Sequence, residues 1–280
     1  MRLIKMVGGL GNQMFIYAFY LQMKQRYPGV QLDISDIVHY KAHNGYELLR
    51  VFDLPIQEFC LPQWLKKVAE ALCFRIILER KQNLETMEAF SKDYWWPWIY
   101  FKGFYQSERF FSDVKDEVRA RFCFNIEKAN PYSQTLYRRI QTDSHAVSFH
   151  VRRGDYQLPK FYKRFGSVCT EAYYQRAIER MLQHDAEAHF YVFSDDLPWV
   201  KAHFDFPRVT FVDGNTGADS WQDMMLMSCC RHHVIANSSF AWWGAWLNPR
   251  ADKLVLAPKR WFGDVEMPYI LPEGWVGIEA

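Results

Sequence analysis

The chain has 280 residues, of which 49% are hydrophobic and 18% aromatic, and its formal net charge is +2. This length suits two domains of ordinary size, while the small net charge argues against a nucleic-acid-binding protein. No run of 18 uncharged apolar residues predicts a membrane span, and no signal-peptide pattern opens the sequence. The six cysteines form no CxxC pair, so we expect a cytoplasmic protein with free thiols.

The first predicted element is a strand at residues 3–7 that ends in a glycine-rich turn. The turn reads Gly8-Gly9-Leu10-Gly11-Asn12-Gln13, and an apolar helix from about Met14 to Arg26 follows it. A strand, a glycine-rich turn and a helix can together present backbone N–H groups to an anion. The spacing matches neither GxGxxG nor a P-loop. Two interpretations therefore stay open, an anion-binding turn or a plain turn in which Asn12 caps the helix.

The segment Gln63–Lys81 has the pattern of an amphipathic helix, with an apolar face and a basic face. We favour an ordinary surface helix packed on a core. Peripheral contact with an anionic lipid surface is the alternative, which would place the protein on the inner membrane surface.

Two clusters could suggest a metal ion. His39, His43 and Glu47 recur at four-residue spacing, but Asn44-Gly45 interrupts any helix between them. Asp195 and Asp196 follow a predicted strand, but a carboxylate in that place is also a natural helix cap. We therefore predict no metal site.

The polar stretch 125–144 is interpreted as a hinge between two halves, and we place the domain boundary after residue 140. Beyond it, strand patterns alternate regularly with helix patterns up to residue 257. This alternation predicts an α/β fold with a parallel sheet and right-handed crossovers.

The strand Ala146–Val151 delivers two arginines to its carboxyl end, where ligands bind in open α/β sheets. The guanidinium groups of Arg152 and Arg153 match phosphate oxygens, and Gly154 lets the backbone turn closely around a ligand. The motif thus predicts a diphosphate site. For the motif in isolation, a surface ion pair between an arginine and Asp155 is the alternative.

A later strand ends in Asn237-Ser238-Ser239, just before a helix that is rich in tryptophan. Hydroxyl and backbone N–H groups at such a helix start suit an anion. Capping of the helix is equally natural there, and the two roles are compatible.

Four segments together resemble the motifs of one family. They are Gly8–Ala18 (GGLGNQMFIYA), Gly103–Glu108 (GFYQSE), His150–Tyr156 (HVRRGDY) and Ile235–Leu247 (IANSSFAWWGAWL). In combination they resemble the α-1,2-fucosyltransferases of glycosyltransferase family 11, and the chain is similar to the bacterial members.

The resemblance implies a GT-B fold, in which two Rossmann-like domains face each other across a cleft. The acceptor-side domain would comprise residues 1–140 and the GDP-sugar-binding domain residues 141–280. The implied reaction is that of a galactoside 2-α-L-fucosyltransferase in oligosaccharide or O-antigen synthesis. It transfers L-fucose from GDP-β-L-fucose to the 2-hydroxyl of a terminal β-galactoside, with inversion and without a metal ion or other cofactor.

The resemblance also implies residue roles. Arg152 would grip the β-phosphate, His150 and Asp223 would hold the guanine and ribose side, and Asn12 would face the reacting centre. The predicted donor-binding residues are Gly9, Gly11, Gln13, His150, Arg153, Asp195, Asp223, Asn237, Ser238, Ser239 and Phe240.

The predicted catalytic residues are Arg152, Asp155 and Asn12. The leaving diphosphate gains negative charge as its bond to the sugar breaks. Without a metal ion, fixed cations and N–H donors must stabilise that charge. Some relatives place a glutamate base where this chain has Lys160. We therefore predict Asp155 as the base, although its arginine neighbours should lower its pKa. A mechanism in which the donor phosphate accepts the proton stays open.

Two other functions remain compatible with these residues. One is transfer of another GDP- or UDP-linked sugar, and the other is a nucleotide- or sugar-binding module without activity. Turnover of a GDP-sugar would separate the enzyme from the module.

Overall fold

The computed structural model describes residues 1–39, 42–79, 96–265, 267 and 269–279. The chain divides into two compact units, Met1–Phe124 and Asn125–Ala280. Each unit is built on a parallel β-sheet.

The first unit contains a five-stranded sheet with the order β3-β2-β1-β5-β4. Its strands are β1 (Arg2–Lys5), β2 (Val30–Asp33), β3 (Glu58–Phe59), β4 (Arg75–Leu78) and β5 (Ile99–Lys102). Its α-helices in the described residues are α1 (Leu10–Arg26), α2 (Leu48–Val51), α3 (Gln63–Leu72) and α4 (Lys115–Arg121). A 3₁₀ segment, Glu108–Val114, precedes α4.

Helix α1 is buried along most of its length because it is apolar on nearly every side. Phe19 stacks on Tyr105 with the ring centroids 3.9 Å apart. The helix begins at Leu10, which is earlier than predicted, and Gly9 is its N-cap residue. Asn12 therefore lies inside the first turn, and the capping role considered for it is wrong.

The predicted helix Gln63–Lys81 is only partly correct. Helix α3 ends at Leu72, and Arg75–Leu78 forms the edge strand β4, parallel to β5. Ile76 and Ile77 are β-branched, which favours a strand. They also continue the helical periodicity of the apolar residues in α3, which explains the incorrect prediction. Residues 80 and 81 lie outside the described residues.

The second unit contains a six-stranded sheet with the order β11-β10-β9-β6-β7-β8. Its strands are β6 (Ala146–Val151), β7 (His189–Ser194), β8 (Val209–Val212), β9 (His232–Val234), β10 (Val255–Pro258) and β11 (Val276–Ile278). The longer helices described here are α5 (Pro131–Thr142), α6 (Glu171–His184), α7 (Leu197–His203), α8 (Trp221–Cys229) and α9 (Ser239–Leu247). The strand β11 was not predicted from the sequence.

The order of the strands reverses at β6. From β6 the chain adds β7 and β8 on one side, and it then adds β9, β10 and β11 on the other. Both β6 and β9 are buried along their full length. Parallel sheets of this kind bind ligands beside the carboxyl ends of the two strands at the reversal, which here are β6 and β9.

Helix α5 belongs to the second unit, so the division falls between Phe124 and Asn125 and not after residue 140. The backbone N–H of Asn130 donates to Gln222 Oε1 at 2.9 Å, and its side chain donates to Asn215 at 2.9 Å. These bonds attach the start of α5 to the loop after β8 and to α8. The polar character of residues 125–144 thus reflects a surface helix with a hydrogen-bonded start.

Candidate functional site

The loops that follow β6 and β9 meet at the strand reversal. The Tyr156 hydroxyl donates to the backbone oxygen of Asn237 at 3.3 Å. The His150 ring lies with its centroid 6.3 Å from that of Phe240. The structure therefore brings together two of the segments that the sequence predicted to bind the donor.

Arg152 occupies the position directly after β6 and is held by two carboxylates. Its Nη2 donates to Asp155 Oδ1 at 2.7 Å, and its Nη1 lies 3.1 Å from Asp195 Oδ2. A side chain on Gly154 would collide with the Asp195 carboxylate, so this close approach requires glycine. The guanidinium is partly exposed and carries five N–H donors, so it can still donate to a ligand.

Arg153 points to a different partner. Its Nε donates to Asp196 Oδ2 at 3.0 Å, and its guanidinium carbon lies 3.8 Å from the Trp199 ring centroid. Asp196 also accepts from the Trp199 N–H at 3.2 Å and so caps α7, as predicted. The geometry gives Arg153 a supporting position in the wall of the site.

The carboxylates of Asp195 and Asp196 are thus committed to arginines and backbone groups. Asp195 additionally accepts from the Arg153 backbone N–H at 2.8 Å. Within the described ranges, no group of three acidic, histidine or cysteine side chains is arranged to hold a metal ion.

His150 is the last but one residue of β6 and is only 7% exposed. Burial, assisted by the charge of Arg152, lowers its pKa to about 3, so the imidazole is neutral at physiological pH. Its buried Nδ1 has no hydrogen-bond partner among the described residues. A buried nitrogen in this state is costly unless a ligand supplies the partner.

The segment after β9 divides into a support and an exposed helix start. Asn237 Nδ2 donates to the backbone oxygens of Phe165 and Trp261, both at 3.1 Å, and its Oδ1 accepts from Cys169 at 3.4 Å. Both amide hydrogens are used, so this side chain shapes the loop. If the predicted contact with the sugar donor used an amide hydrogen, one of these bonds would have to break.

Ser238 is the N-cap residue of α9, yet its side chain makes no capping hydrogen bond. The hydroxyl and the first N–H groups of α9, from Ser239 onward, therefore keep the capacity to bind an anion. Phe240 is half-buried beside His150.

Asp223 lies in the first turn of α8, beyond β8. Burial raises the pKa of its carboxyl to about 7, although a hydrogen bond from Asn215 Nδ2 at 2.8 Å acts in the opposite direction. Asn215 in turn accepts from Asn130 and from the Ser133 hydroxyl at 3.0 Å. The start of α5 thereby fixes the direction of the Asp223 carboxyl.

In the first unit, the glycine-rich turn is braced by Gln13. Its Nε2 donates to the backbone oxygens of Gly8 and Gly45, both at 2.8 Å, and its Oε1 accepts from the N–H groups of Glu47 and Leu48, both at 3.0 Å. All four hydrogen-bonding positions are used, and Gln13 is completely buried. It holds the turn in shape, so the donor contact predicted for it would require breaking this network.

Asn12 is half-buried and accepts from Gln106 Nε2 at 2.7 Å. Gly8 has a φ of 84°, and a Cβ there would approach Asn12 Nδ2 to 2.8 Å. The other two predicted glycines lie beside it: Gly9 caps α1 and Gly11 is buried in its first turn. The turn thus presents the Asn12 amide in one orientation.

A family model described as Glycosyl transferase family 11 matches residues 4–279. The chain belongs to glycosyltransferase family 11. The predicted family and the predicted enzyme class, a glycosyltransferase, are both confirmed.

Two relatives of this chain have an α-1,2 linkage in their names. Alpha-1,2-colitosyltransferase of Escherichia coli is 34% identical, over 98% of this chain and 98% of its own length. Galactoside alpha-(1,2)-fucosyltransferase 1 of Bos taurus is 31% identical, over 71% of this chain and 59% of its own length.

The fold is shared with a solved structure of NodZ alpha-1,6-fucosyltransferase soaked with GDP-fucose. The TM-score is 0.55 at 14% identity, covering 89% of this chain and 92% of that chain. This likeness confirms the predicted GT-B fold class. Separately, none of the helices in the described part of the chain has the length and apolar character that a bilayer crossing demands.

Sequence reasoning missed two supporting residues of this family 11 chain. Gln106 stands in the segment GFYQSE, whose resemblance to a family motif implies no role for this side chain. Asn215 follows β8, where a polar strand end was the available signal. In both cases the function lies in contacts between residues far apart in sequence, Gln106 with Asn12 and Asn215 with Asn130.

Proposed function

We propose that this family 11 enzyme transfers L-fucose from GDP-β-L-fucose to the 2-hydroxyl of a terminal β-galactoside, with inversion at the sugar carbon. The α-1,2 linkage in the names of both relatives supports the position of attack. The galactoside acceptor and the fucosyl group are supported by the bovine relative. GDP-fucose as a ligand of the NodZ structure agrees with the proposed donor.

The observation that carries the proposal is the fixed guanidinium of Arg152 at the strand reversal. Its two carboxylate partners determine its direction before any ligand arrives. A pre-oriented donor of this kind stabilises developing charge without reorganising during the reaction. The N–H groups at the start of α9 add a second anion-binding element beside the same loop.

The proposed reaction is a single displacement. The acceptor 2-oxygen forms a bond to C1 of fucose, the bond from C1 to the β-phosphate oxygen breaks, and GDP leaves with the bonding electrons. Arg152 and the start of α9 receive the charge that develops on the diphosphate. In this proposal His150 and Asp223 bind the nucleoside, and Asn12 donates to the reacting groups.

The acceptor hydroxyl must lose its proton, and Asp155 is our proposed base. Its carboxylate is partly exposed beside Arg152, so it can reach a ligand bound there. Since one of its oxygens accepts from Arg152, the other is the better placed to take the proton. The competing route passes the proton to the departing phosphate.

We also propose that no divalent ion takes part. The chemical reason is that the best candidate ligands, Asp195 and Asp196, already pair with Arg152 and Arg153. A metal ion would have to displace these guanidinium groups from the site.

A second candidate donor is GDP-colitose. Colitose is fucose without the 3-hydroxyl group, and the Escherichia coli relative transfers it according to its name. A site that hydrogen-bonds the 3-hydroxyl would discriminate strongly against colitose, because its polar partner would be left unpaired.

The test is a mass-spectrometric assay of the purified enzyme with lactose as acceptor. GDP-fucose, GDP-colitose, GDP-mannose and UDP-galactose are supplied separately with the same acceptor. We expect the fucosylated product with GDP-fucose and its linkage on the galactose 2-oxygen. Product only with GDP-colitose would transfer the proposal to that donor, and no product with any of the four donors would refute it.

A further inference from the structure

Helix α3 presents its apolar side to the exterior. Trp64, Leu65, Val68 and Leu72 lie on one face, and Trp64 and Leu72 are 70% and 78% exposed. The side toward the sheet carries Lys66, which is only 6% exposed. This is the reverse of a helix whose apolar stripe packs on a core.

Buried ion pairs hold α3 in this orientation. Lys66 Nζ lies 2.9 Å from Asp33 Oδ2 and 2.9 Å from Asp36 Oδ2. One turn along the helix, Glu70 pairs with Lys102 of β5 at 2.6 Å. Turning the apolar face inward would leave the buried Asp33 without its cation, which is strongly unfavourable. The outward apolar face is therefore a fixed property of the first unit.

A basic side chain flanks this face. Lys67 is exposed beside it, whereas Glu70 pairs with Lys102. A contiguous group of large exposed apolar side chains generally marks an interaction surface. A tryptophan and leucines next to a lysine fit the boundary between lipid headgroups and acyl chains.

We propose that α3 is a membrane-docking surface that attaches the enzyme peripherally to a bilayer of anionic lipid. Trp64, Val68 and Leu72 enter the region between headgroups and acyl chains, and Lys67 lies near the phosphates. The proposal is independent of the sugar that the enzyme transfers, because it concerns only α3 and the side chains around it.

The test is co-sedimentation of the full chain with vesicles. One set contains phosphatidylcholine with about 30% phosphatidylglycerol, which makes the surface anionic. The other set contains phosphatidylcholine alone. We compare the wild type with Trp64→Glu, Leu72→Glu and Lys67→Gln. Leu49→Glu is the matched control, because Leu49 is an exposed leucine on α2, outside the proposed surface.

We expect the wild type to bind anionic vesicles more tightly than neutral ones, and less tightly at high salt. Trp64→Glu and Leu72→Glu should each weaken binding about tenfold or more, since each removes a large apolar side chain that the bilayer would bury. Lys67→Gln should weaken binding about fivefold, and only to anionic vesicles. Leu49→Glu should bind like the wild type.

Three outcomes would overturn the proposal. The wild type could stay in the supernatant with anionic vesicles at low salt, or Trp64→Glu could bind as well as the wild type. The third is a dimer in solution that Trp64→Glu dissociates, since a second copy would then be the occupant of this surface. Circular dichroism of each variant verifies that a loss of binding reflects the surface and not unfolding.

Discussion

At the scale of single residues, the candidate site combines groups that would bind a ligand with groups that hold them in place. Arg152, the buried Nδ1 of His150 and the start of α9 have unused capacity for hydrogen bonds. The Gln13 amide has none, and both amide hydrogens of Asn237 are used, because backbone groups occupy these positions. The distinction matters for mutagenesis, since substitution of a supporting residue alters the protein before any ligand binds.

Asp155→Asn tests the proposed base. The amide preserves the shape of the carboxylate but removes its basicity, so we expect kcat to fall by about 10²–10⁴-fold. The measurement is initial-rate transfer to lactose, with the thermal midpoint as a control for folding. Activity within tenfold of the wild type would favour proton transfer to the donor phosphate instead.

The Asp223 carboxyl predicts a pH dependence of donor affinity. Its pKa is raised to about 7 by burial, so the group is mostly protonated below that pH and ionised above it. If the carboxylate form binds the nucleoside, affinity should rise about tenfold per pH unit up to about pH 7 and then level off. GDP-fucose is the suitable probe because its diphosphate diester does not titrate in this range.

The control for this experiment is Asp223→Asn, which should bind GDP-fucose weakly and with little dependence on pH. The raised pKa of Asp223 also makes the stability of the fold depend on pH, but stability falls where donor affinity rises. Between about pH 4 and pH 7 the unfolded chain loses this proton before the folded chain does, so Asp223 lowers the free energy of unfolding as the pH rises. A wild-type affinity that is constant from pH 5 to 8 would remove Asp223 from the donor site.

The bond from Gln106 to Asn12 predicts energetic coupling between the two side chains. Asn12→Ala should lower kcat by about 10²-fold or more, as expected for loss of one positioned donor. Gln106→Ala should act through Asn12, so the double variant should be no slower than Asn12→Ala alone. Strictly multiplicative effects in this double-mutant cycle would show that Gln106 does not act through Asn12.

At the scale of elements, α3 and β4 show which features of this fold depend on tertiary contacts. The apolar periodicity of residues 63–81 correctly indicated an amphipathic helix, but it could not show that Lys66 would face the sheet. That orientation depends on Asp33 and on Tyr100, whose hydroxyl donates to the same carboxylate, and both lie on distant strands. The end of α3 at Leu72 likewise depends on pairing of Ile76 and its neighbours with β5.

Other elements could be predicted because their signals are local. The strand Ala146–Val151 has the predicted bounds, since its alternation of apolar residues specifies it without distant partners. The predicted site residues around Arg152 also follow from strand order, because parallel strands bring their carboxyl ends to one edge. The support by Gln13 and Asn237 could not be predicted, as it requires knowing which distant backbone groups lie nearby.

Lys66→Ala tests whether the buried ion pairs fix α3. Removing the ammonium leaves the buried Asp33 carboxylate without its cation, so we expect the free energy of unfolding to fall by about 3 kcal/mol. Urea denaturation followed by circular dichroism measures this change. Lys115→Ala is the matched control, because Lys115 pairs with Glu108 at the surface at 3.0 Å and should contribute less than about 1 kcal/mol. Equal effects of the two substitutions would contradict a structural role for the Lys66 cluster.

At the scale of the whole molecule, two parallel-sheet units carry the predicted features on different parts of the chain. The first unit contains the glycine-rich turn with Asn12, and the second contains the loops after β6 and β9. The resemblance of four separated motifs indicated this organisation and the family. The division at Phe124 escaped prediction because the polar start of α5 was interpreted as a hinge, whereas its hydrogen bonds attach it to the second unit.

The central claim is that a fixed guanidinium, and not a divalent ion, stabilises the departing diphosphate. The most direct measurement is kcat/KM for transfer from GDP-fucose to lactose in EDTA, for the wild type, Arg152→Ala and the surface control Arg231→Ala. We predict that EDTA leaves the wild type and the control active, and that Arg152→Ala loses at least about 10²–10³-fold while it stays folded. Near-wild-type turnover by Arg152→Ala, or activity that disappears in EDTA and returns with Mn²⁺, would contradict the account.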